Sequence, residues 1–369
     1  MRREGGPVTT GHAYPWDVLG DPGFTDRALA TGVSTVALAA AYHSTRAATP
    51  LHHAHQLVHA RYAALYRPVR ESVWGGRRLR PLAPDWVSIE DSFGVAAAEL
   101  REAGLRVSAW VVLTHNTRLG TEFPDVAVVN CFGERYPYAL CPSSAEVREY
   151  AATLAAEAAA GADEVSLEAC GQLGVTHLSH HEKTDGAFSP AAARWLSVCC
   201  CPACRREWTD RGLDPAEVVA TLRTAVAEEA RARPGQVPFA TELLAARHAA
   251  TDALRAEVLA GLEVPVTLHA HPDPWETGAA PGLTPTAAND VEALLVPAWP
   301  TDPATADLVV HAARTGRPVQ AYVTVLGATE PTALPDHWRR LREAGAVDAA
   351  LYHLGLAPSW RQELFRVFA

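Results

Sequence analysis

The chain has 369 residues, 48% of them hydrophobic and 20% charged, with a formal net charge of −10 at pH 7. That length allows a large core and between one and three domains. The acidic balance argues against a nucleic-acid partner, which calls for a basic face. The opening stretch Met1 to Pro7 has no apolar segment behind it and does not read as a secretion signal. No apolar run approaches the ~18 residues of a membrane span, so the expectation is a cytoplasmic protein with no membrane partner. Thiols stay reduced there, so the cysteines packed between positions 199 and 204 read as metal ligands, not disulfides.

In chain order, one pattern recurs. A polar or Ala-rich helical stretch ends in Gly, and an apolar run follows within a few residues. It occurs at Gly32 before residues 34–41, at Gly104 before 107–113, and at Gly161 before 163–169. It returns at Gly261 before 264–270, at Gly316 before 319–325 and at Gly345 before 348–353, and residues 292–297 add a further apolar run. Glycine after a helix supplies the left-handed terminal residue. Short apolar runs without alternation suit strands covered on both faces. Alternating helix and strand predicts an α/β fold with a parallel sheet.

An eighth strand is sought in residues 69–89, from Val69–Trp74 or Trp86–Ile89. Eight strands predict a (β/α)8 barrel forming one domain over residues 1–369. A doubly wound open sheet is the alternative, but the turn near Tyr42-His-Ser44 lacks its Gly-rich phosphate fingerprint. The long stretch 171–263 is then an enlarged excursion after the fourth strand, carrying the cysteines and several helices.

In a barrel the C-terminal strand ends face the active site. Those ends carry Tyr42 and His43, His115 and Asn116, Glu168, His269 and His271, Trp299, Tyr322 and Thr324, and Tyr352 and His353. The strand starts show no such clustering. The loop after Glu168 adds His177, His180, His181, Glu182 and Lys183, the last being the only lysine in the chain. The expected substrate contacts are Tyr42, His43, His115, Asn116, His181, Lys183, His269, Trp299, Tyr352 and His353. Rim aromatics, with Trp110 and Trp275 among them, suit stacking on sugar rings.

Cys199-x-Cys201-x2-Cys204 has the close thiolate spacing of a structural zinc site, which needs a fourth ligand. Cys131, Cys141 and Cys170 remain to supply it. This motif, closing a long loop after the fourth strand, resembles the zinc motif of family 42 glycoside hydrolases, β-galactosidases with a (β/α)8 catalytic domain. The upstream stretch Leu140-Cys-Pro-Ser-Ser-Ala-Glu-Val-Arg-Glu-Tyr150 is similar to the segment that carries that family's fourth cysteine. The resemblance therefore implies Cys141 as fourth ligand, with Cys170 as runner-up, and Zn2+ as a structural cofactor. Ala41-Tyr-His43, Leu105–Trp110 and His115-Asn-Thr117 also resemble an Ala-rich actinobacterial group of barrel glycosidase-like proteins.

In the clan that includes family 42, the acid/base Glu ends the fourth strand after Asn, and the nucleophile Glu ends the seventh. Glu168 matches the first position but follows Leu167, and the seventh strand carries no carboxylate. Glycosidases need two carboxyl groups, about 5–5.5 Å apart for retention or about 6.5–9.5 Å for inversion. The resemblance thus implies Glu168 as acid/base, with Glu182 or Asp273 as the second carboxylate and a small carbohydrate as substrate. Two other readings stay open. One is a metal-dependent hydrolase or isomerase using His269 and His271. The other is a catalytically inactive sugar-binding barrel. Whether the chain forms a homo-oligomer also stays open.

Overall fold

The computed structural model describes residues 9–176, 183–184, 186–327 and 329–368. Within them eight parallel strands close on themselves. They are β1 (Thr9–Ala13), β2 (Val33–Tyr42), β3 (Arg106–Val112) and β4 (Glu164–Glu168), followed by β5 (Val266–His269), β6 (Ala293–Pro297), β7 (Val319–Thr324) and β8 (Ala346–Tyr352). Each pairs with its neighbours in sequence order. The seam is made by β1, which meets β8 at Thr10↔Ala350 and Gly11↔Leu351 and meets β2 at Gly11↔Val36. Closure leaves these strands without a free edge. The expected (β/α)8 barrel is the fold that forms.

One strand assignment is corrected. The first barrel strand is Thr9–Ala13, and residues 34–41 belong to the second. The region 69–89 supplies no barrel strand; it holds the short helix Glu71–Trp74, and Leu82 makes an isolated bridge to Ala64. Trp74 is fully buried and lies with its ring centroid 6.0 Å from that of Tyr150. Its apolar character belongs to packing outside the sheet. Thr9-Thr-Gly-His-Ala13 is buried along its whole length although three of its residues are polar. An apolar-run criterion passes over it.

The glycine pattern has the expected cause. Gly104 and Gly161 adopt φ of +85° and +72°, and a Cβ at either would meet nothing within 4 Å. The left-handed conformation, not crowding, selects glycine there.

Between β4 and β5 the described chain forms helices Pro190–Leu196, Pro202–Asp210, Pro215–Glu229 and Ala240–Leu259. The last packs against helix Ala145–Ala159, which leads into β4, and Arg148 Nε donates to Glu257 Oε1 at 2.6 Å across that contact. Between β3 and that helix, Ala127–Val129 and Arg135–Leu140 form an antiparallel hairpin that delivers Cys141. The hairpin and the β4–β5 excursion meet at the cysteines.

Candidate functional site

Period-2 alternation puts Ser166 and Glu168 of β4 on the same face. Register places Val112 of β3 beside Glu168 and Leu268 of β5 beside Leu167. Trp110 and His269 therefore approach Glu168 from the two neighbouring strands. Trp110 Nε1 donates to Glu168 Oε2 at 2.8 Å. His269 Nδ1 lies 3.8 Å from the same oxygen, and His269 Nε2 lies 2.9 Å from Ser166 Oγ. Glu168 is only 5% exposed. Burial pushes its carboxyl up to about 7, against the opposing pull of the Trp110 hydrogen bond.

Aromatic rings surround this carboxyl. Tyr42 meets the Trp110 ring edge-on at 4.5 Å, and His12 of β1 meets it at 4.8 Å. Tyr322 of β7 lies 4.7 Å from His12 and 5.5 Å from His269. Its buried hydroxyl has no hydrogen-bond partner among the described residues. Above, Trp299 lies over Tyr352 at 4.7 Å and is 41% exposed. Burial keeps the imidazoles neutral: His12 is pulled down to about 3, and His269 and His353 fall well below the ordinary histidine range. The result is a carboxyl set among aromatic rings, with no buried cation beside it among the described residues.

The predicted residues divide. Glu168, Tyr42, His269, Trp299 and Tyr352 come together at the mouth. His43 stacks between Tyr42 and His115, with ring centroids 4.2 Å from each. Asn116 caps helix Thr117–Glu122 by accepting from Leu119 N at 3.0 Å, and its Nδ2 donates to Tyr150 Oη at 3.2 Å. His353 is fully buried beneath Tyr14, at 4.4 Å between rings. Asp273 is exposed; its Oδ1 accepts from Trp275 N at 2.9 Å and its Oδ2 lies 3.9 Å from Arg194. His271 uses Nδ1 to accept from Asp273 N at 3.1 Å. Lys183 is exposed, whereas His181 and Glu182 lie outside the described residues. Trp110, expected at the rim, is fully buried as floor, and Trp275 stands instead near Trp195 at 5.6 Å.

Sequence reasoning passed over His12, Tyr14, Asp17 and Ser166. The first three follow from the unrecognised β1. Asp17 lies in helix Pro15–Gly20 just after it, is buried, and accepts from Tyr14 N at 2.9 Å. Burial pushes its carboxyl up to about 8. The available signal was His12 itself, in Thr9-Thr-Gly-His-Ala13 just before Tyr14-Pro15. Ser166 would have been found by asking which strand residue shares a face with Glu168.

The sulfur atoms of Cys141, Cys199, Cys201 and Cys204 all lie within 4.8 Å of one another and are buried. Cys141 Sγ is 3.6 Å from Cys204 Sγ and 3.7 Å from Cys201 Sγ. Tetrahedral thiolates about 2.3 Å from a zinc ion stand about 3.8 Å apart, so this donor set fits that ion. Hydrogen bonds from the other three thiols hold Cys201 far below the ordinary thiol range. Cys141 is the fourth member. The runner-up, Cys170, lies away from the cluster, in the field of Arg255 and Asp252. No other group of three or more His, Cys, Asp or Glu ligands comes together among the described residues.

A narrow groove beside these cysteines is lined by Gln172, Trp208, Arg247 and Trp275. A smaller hollow brings together Tyr42, His115 and Asn116. Glu168 lines neither, and its chemistry, not hollow size, marks the candidate site.

No family model matches the chain, and no curated protein matches it. Solved structures do resemble it. The α-L-fucosidase isoenzyme 2 of Paenibacillus thiaminolyticus superposes with a TM-score of 0.57 at 12% identity, covering 98% of this chain and 48% of that one. The β-amylase catalytic domain of Paenibacillus polymyxa gives 0.58 at 12% identity, covering 98% and 97%. A β-galactosidase of the psychrophilic Marinomonas ef1 gives 0.50 at 11% identity, covering 97% and 58%. The chain thus spans about half the length of the fucosidase and nearly all of the amylase domain. At such identities the likeness is one of fold.

Proposed function

We propose that this chain is a carbohydrate-active enzyme, a glycoside hydrolase in which Glu168 is the acid/base. The observation that carries the reading is Glu168 itself. It is a carboxyl at the C-terminal end of β4, buried among aromatic rings and raised to about 7. Such a group keeps a large protonated fraction at neutral pH and is stable enough as carboxylate to give its proton up. Protonating the glycosidic oxygen makes the leaving group neutral as the bond breaks. The half-exposed Trp299 over Tyr352 offers a face for a sugar ring, and the absence of a neighbouring buried cation among the described residues suits an uncharged sugar. The fucosidase, amylase and galactosidase that share the fold are sugar enzymes by name, which supports a carbohydrate substrate.

The second carboxylate is assigned to Glu182, whose loop leaves from β4. Asp273 is the weaker candidate because it is exposed and engaged with Trp275 N and Arg194. The four cysteines are assigned a structural Zn2+ that holds the loop wall and takes no part in the reaction. The grouping of Cys141 with the other three supports this assignment.

The test is turnover of a panel of aryl glycosides by the wild type and by Glu168→Gln. General acid catalysis contributes roughly 10²- to 10⁴-fold, so the variant should lose that much while still binding the sugar. Full activity in Glu168→Gln would sink the assignment. One observation favours a second reading: β7 presents Tyr322 and Thr324 and no carboxylate. An inactive sugar-binding barrel would bind the same glycosides by calorimetry, with wild type and variant alike showing no turnover.

A further inference from the structure

Glu168 has two oxygens with different surroundings. Oε2 accepts from Trp110 Nε1 at 2.8 Å, and the nitrogen nearest to it otherwise is His269 Nδ1 at 3.8 Å. An oxygen that already accepts a hydrogen bond presents lone pairs to a second neighbour. A bare imidazole nitrogen there would set lone pair against lone pair unless Oε2 itself carried the proton, whereas an N–H is attracted to Oε2 with the proton on Oε1 and with the carboxyl ionised. The other ring nitrogen, Nε2, sits 2.9 Å from Ser166 Oγ, a hydroxyl able to donate. The tautomer with Nδ1 protonated and Nε2 accepting from Ser166 satisfies both contacts in either protonation state of the carboxyl, whereas the other tautomer does so only with the Glu168 proton on Oε2. At 3.8 Å the Nδ1 approach is too long for a hydrogen bond, and such contacts shorten when charge develops.

We propose that His269 is a positioning residue for Glu168: Ser166 fixes its tautomer so that the Nδ1–H faces Oε2, which leaves Oε1 to carry and deliver the proton. The proposal rests on the acid role of Glu168 given above. In the step itself the Oε1–H bond breaks and a bond forms between that hydrogen and the glycosidic oxygen. The electron pair stays on the carboxylate, and the Trp110 and His269 N–H groups stabilise it from the Oε2 side without losing their protons. His269 thereby shifts from an expected sugar contact to a support for the acid. The other groups facing Glu168 are Tyr42 from β2, Tyr322 from β7 and Tyr352 from β8, each of whose hydroxyls feels its charge. Trp110 comes from β3. The apolar Leu295 of β6 packs with Tyr322, and His12 of β1 stands behind His269 at 6.0 Å. None of these is a cation; Oε2 is held by the Trp110 hydrogen bond, with His269 Nδ1 standing 3.8 Å away.

The test reads ionisation directly and needs no substrate. Protein labelled with ¹³C at the Glu side-chain carboxyl is titrated by NMR, with Glu168→Gln identifying the signal. Removing a donor to the charged form raises a carboxyl's midpoint, so His269→Phe should move it up by about one pH unit. His269→Asn, whose amide N–H takes the place of Nδ1–H, should return it toward the wild-type value. Ser166→Ala, which frees the tautomer, should move it upward by less. Ring-¹⁵N histidine spectra, assigned by the same variants, should show His269 protonated at Nδ1 and bare at Nε2. A midpoint that is unchanged or lower in His269→Phe overturns the proposal, and so does a protonated Nε2 in the wild type. If His269→Phe fails to fold, an unmoved midpoint in Ser166→Ala together with a shifted one in His269→Asn overturns it as well. Failure of the glycosidase reading shows separately, as turnover retained by Glu168→Gln, whatever the titration gives.

Discussion

Glu168 carries a conflict between stability and chemistry that can be measured. Its carboxyl is raised from 4.5 to about 7 by burial. The folded state then binds a proton that the unfolded chain has released between those values, so stability is fullest below the unfolded midpoint and falls as pH rises through the folded one. At 1.36 kcal/mol per pH unit the loss is about 3 kcal/mol. Glu168→Gln keeps an oxygen to accept from Trp110 and cannot ionise. Its melting temperature should match the wild type near pH 4.5 and exceed it increasingly toward pH 8, while activity is lost. A constant difference across that range would show that folding does not raise the Glu168 midpoint. Activity of the wild type, where it is found, should decline on the alkaline side above about pH 7, because the acid must start protonated. At the rim, Trp299→Ala removes an exposed stacking face worth roughly 1 kcal/mol, and should raise KM several-fold with kcat little changed.

At the scale of elements, the four cysteines join two different excursions. Cys141 ends the hairpin after β3, and Cys199, Cys201 and Cys204 sit at the entry to helix Pro202–Asp210 after β4. Neither excursion is held by the barrel's own ladder. Loss of a bound metal belongs to the short list of changes that cost about 4 kcal/mol or more. Cys201→Ser should abolish metal content by elemental analysis and lower stability on that scale, whereas Cys170→Ala should leave metal content unchanged. Retained metal in Cys201→Ser would refute the clip. Much of this was legible in the sequence. The spacing Cys199-x-Cys201-x2-Cys204 pointed to three members of the cluster, and the resemblance carried by the Cys141 segment pointed to the fourth. The strands from β2 to β8 were legible because each is a short apolar run, all but β6 behind a glycine that follows a helix. β1 was not, because its polar residues hide a strand that is nonetheless buried along its whole length. With β1 went His12 and Asp17. The pairing of Ser166 with His269 depends on cross-strand register, which no single segment reveals.

For the whole molecule, the seam brings the two ends of the described chain into contact. Asp17, just after β1, lies against Gly355, just after β8: a Cβ on Gly355 would stand 1.9 Å from Asp17 Cγ. Asp17 cannot swing aside, because it is buried and accepts from Tyr14 N. Overpacking of this kind costs about 1–3 kcal/mol. Gly355→Ala should lower the denaturant midpoint by that amount, whereas Gly76→Ala, at an open surface turn with φ +74°, should show only the cost of its backbone angle.

That seam also sets a schedule. Until β8 exists, β1 has a neighbour on one side only, and the growing sheet is open with Thr10 and Gly11 offering unpaired amides and carbonyls. On the ribosome, roughly 340 residues must follow β1 before its second partner emerges, about half a minute at ~10 residues per second. During that interval the nascent sheet has two uncovered edges, the kind of template other chains pair with. The short, polar, glycine-interrupted sequence of β1 makes a poor template, so the residues that hid the strand from sequence reading also shield it while it waits.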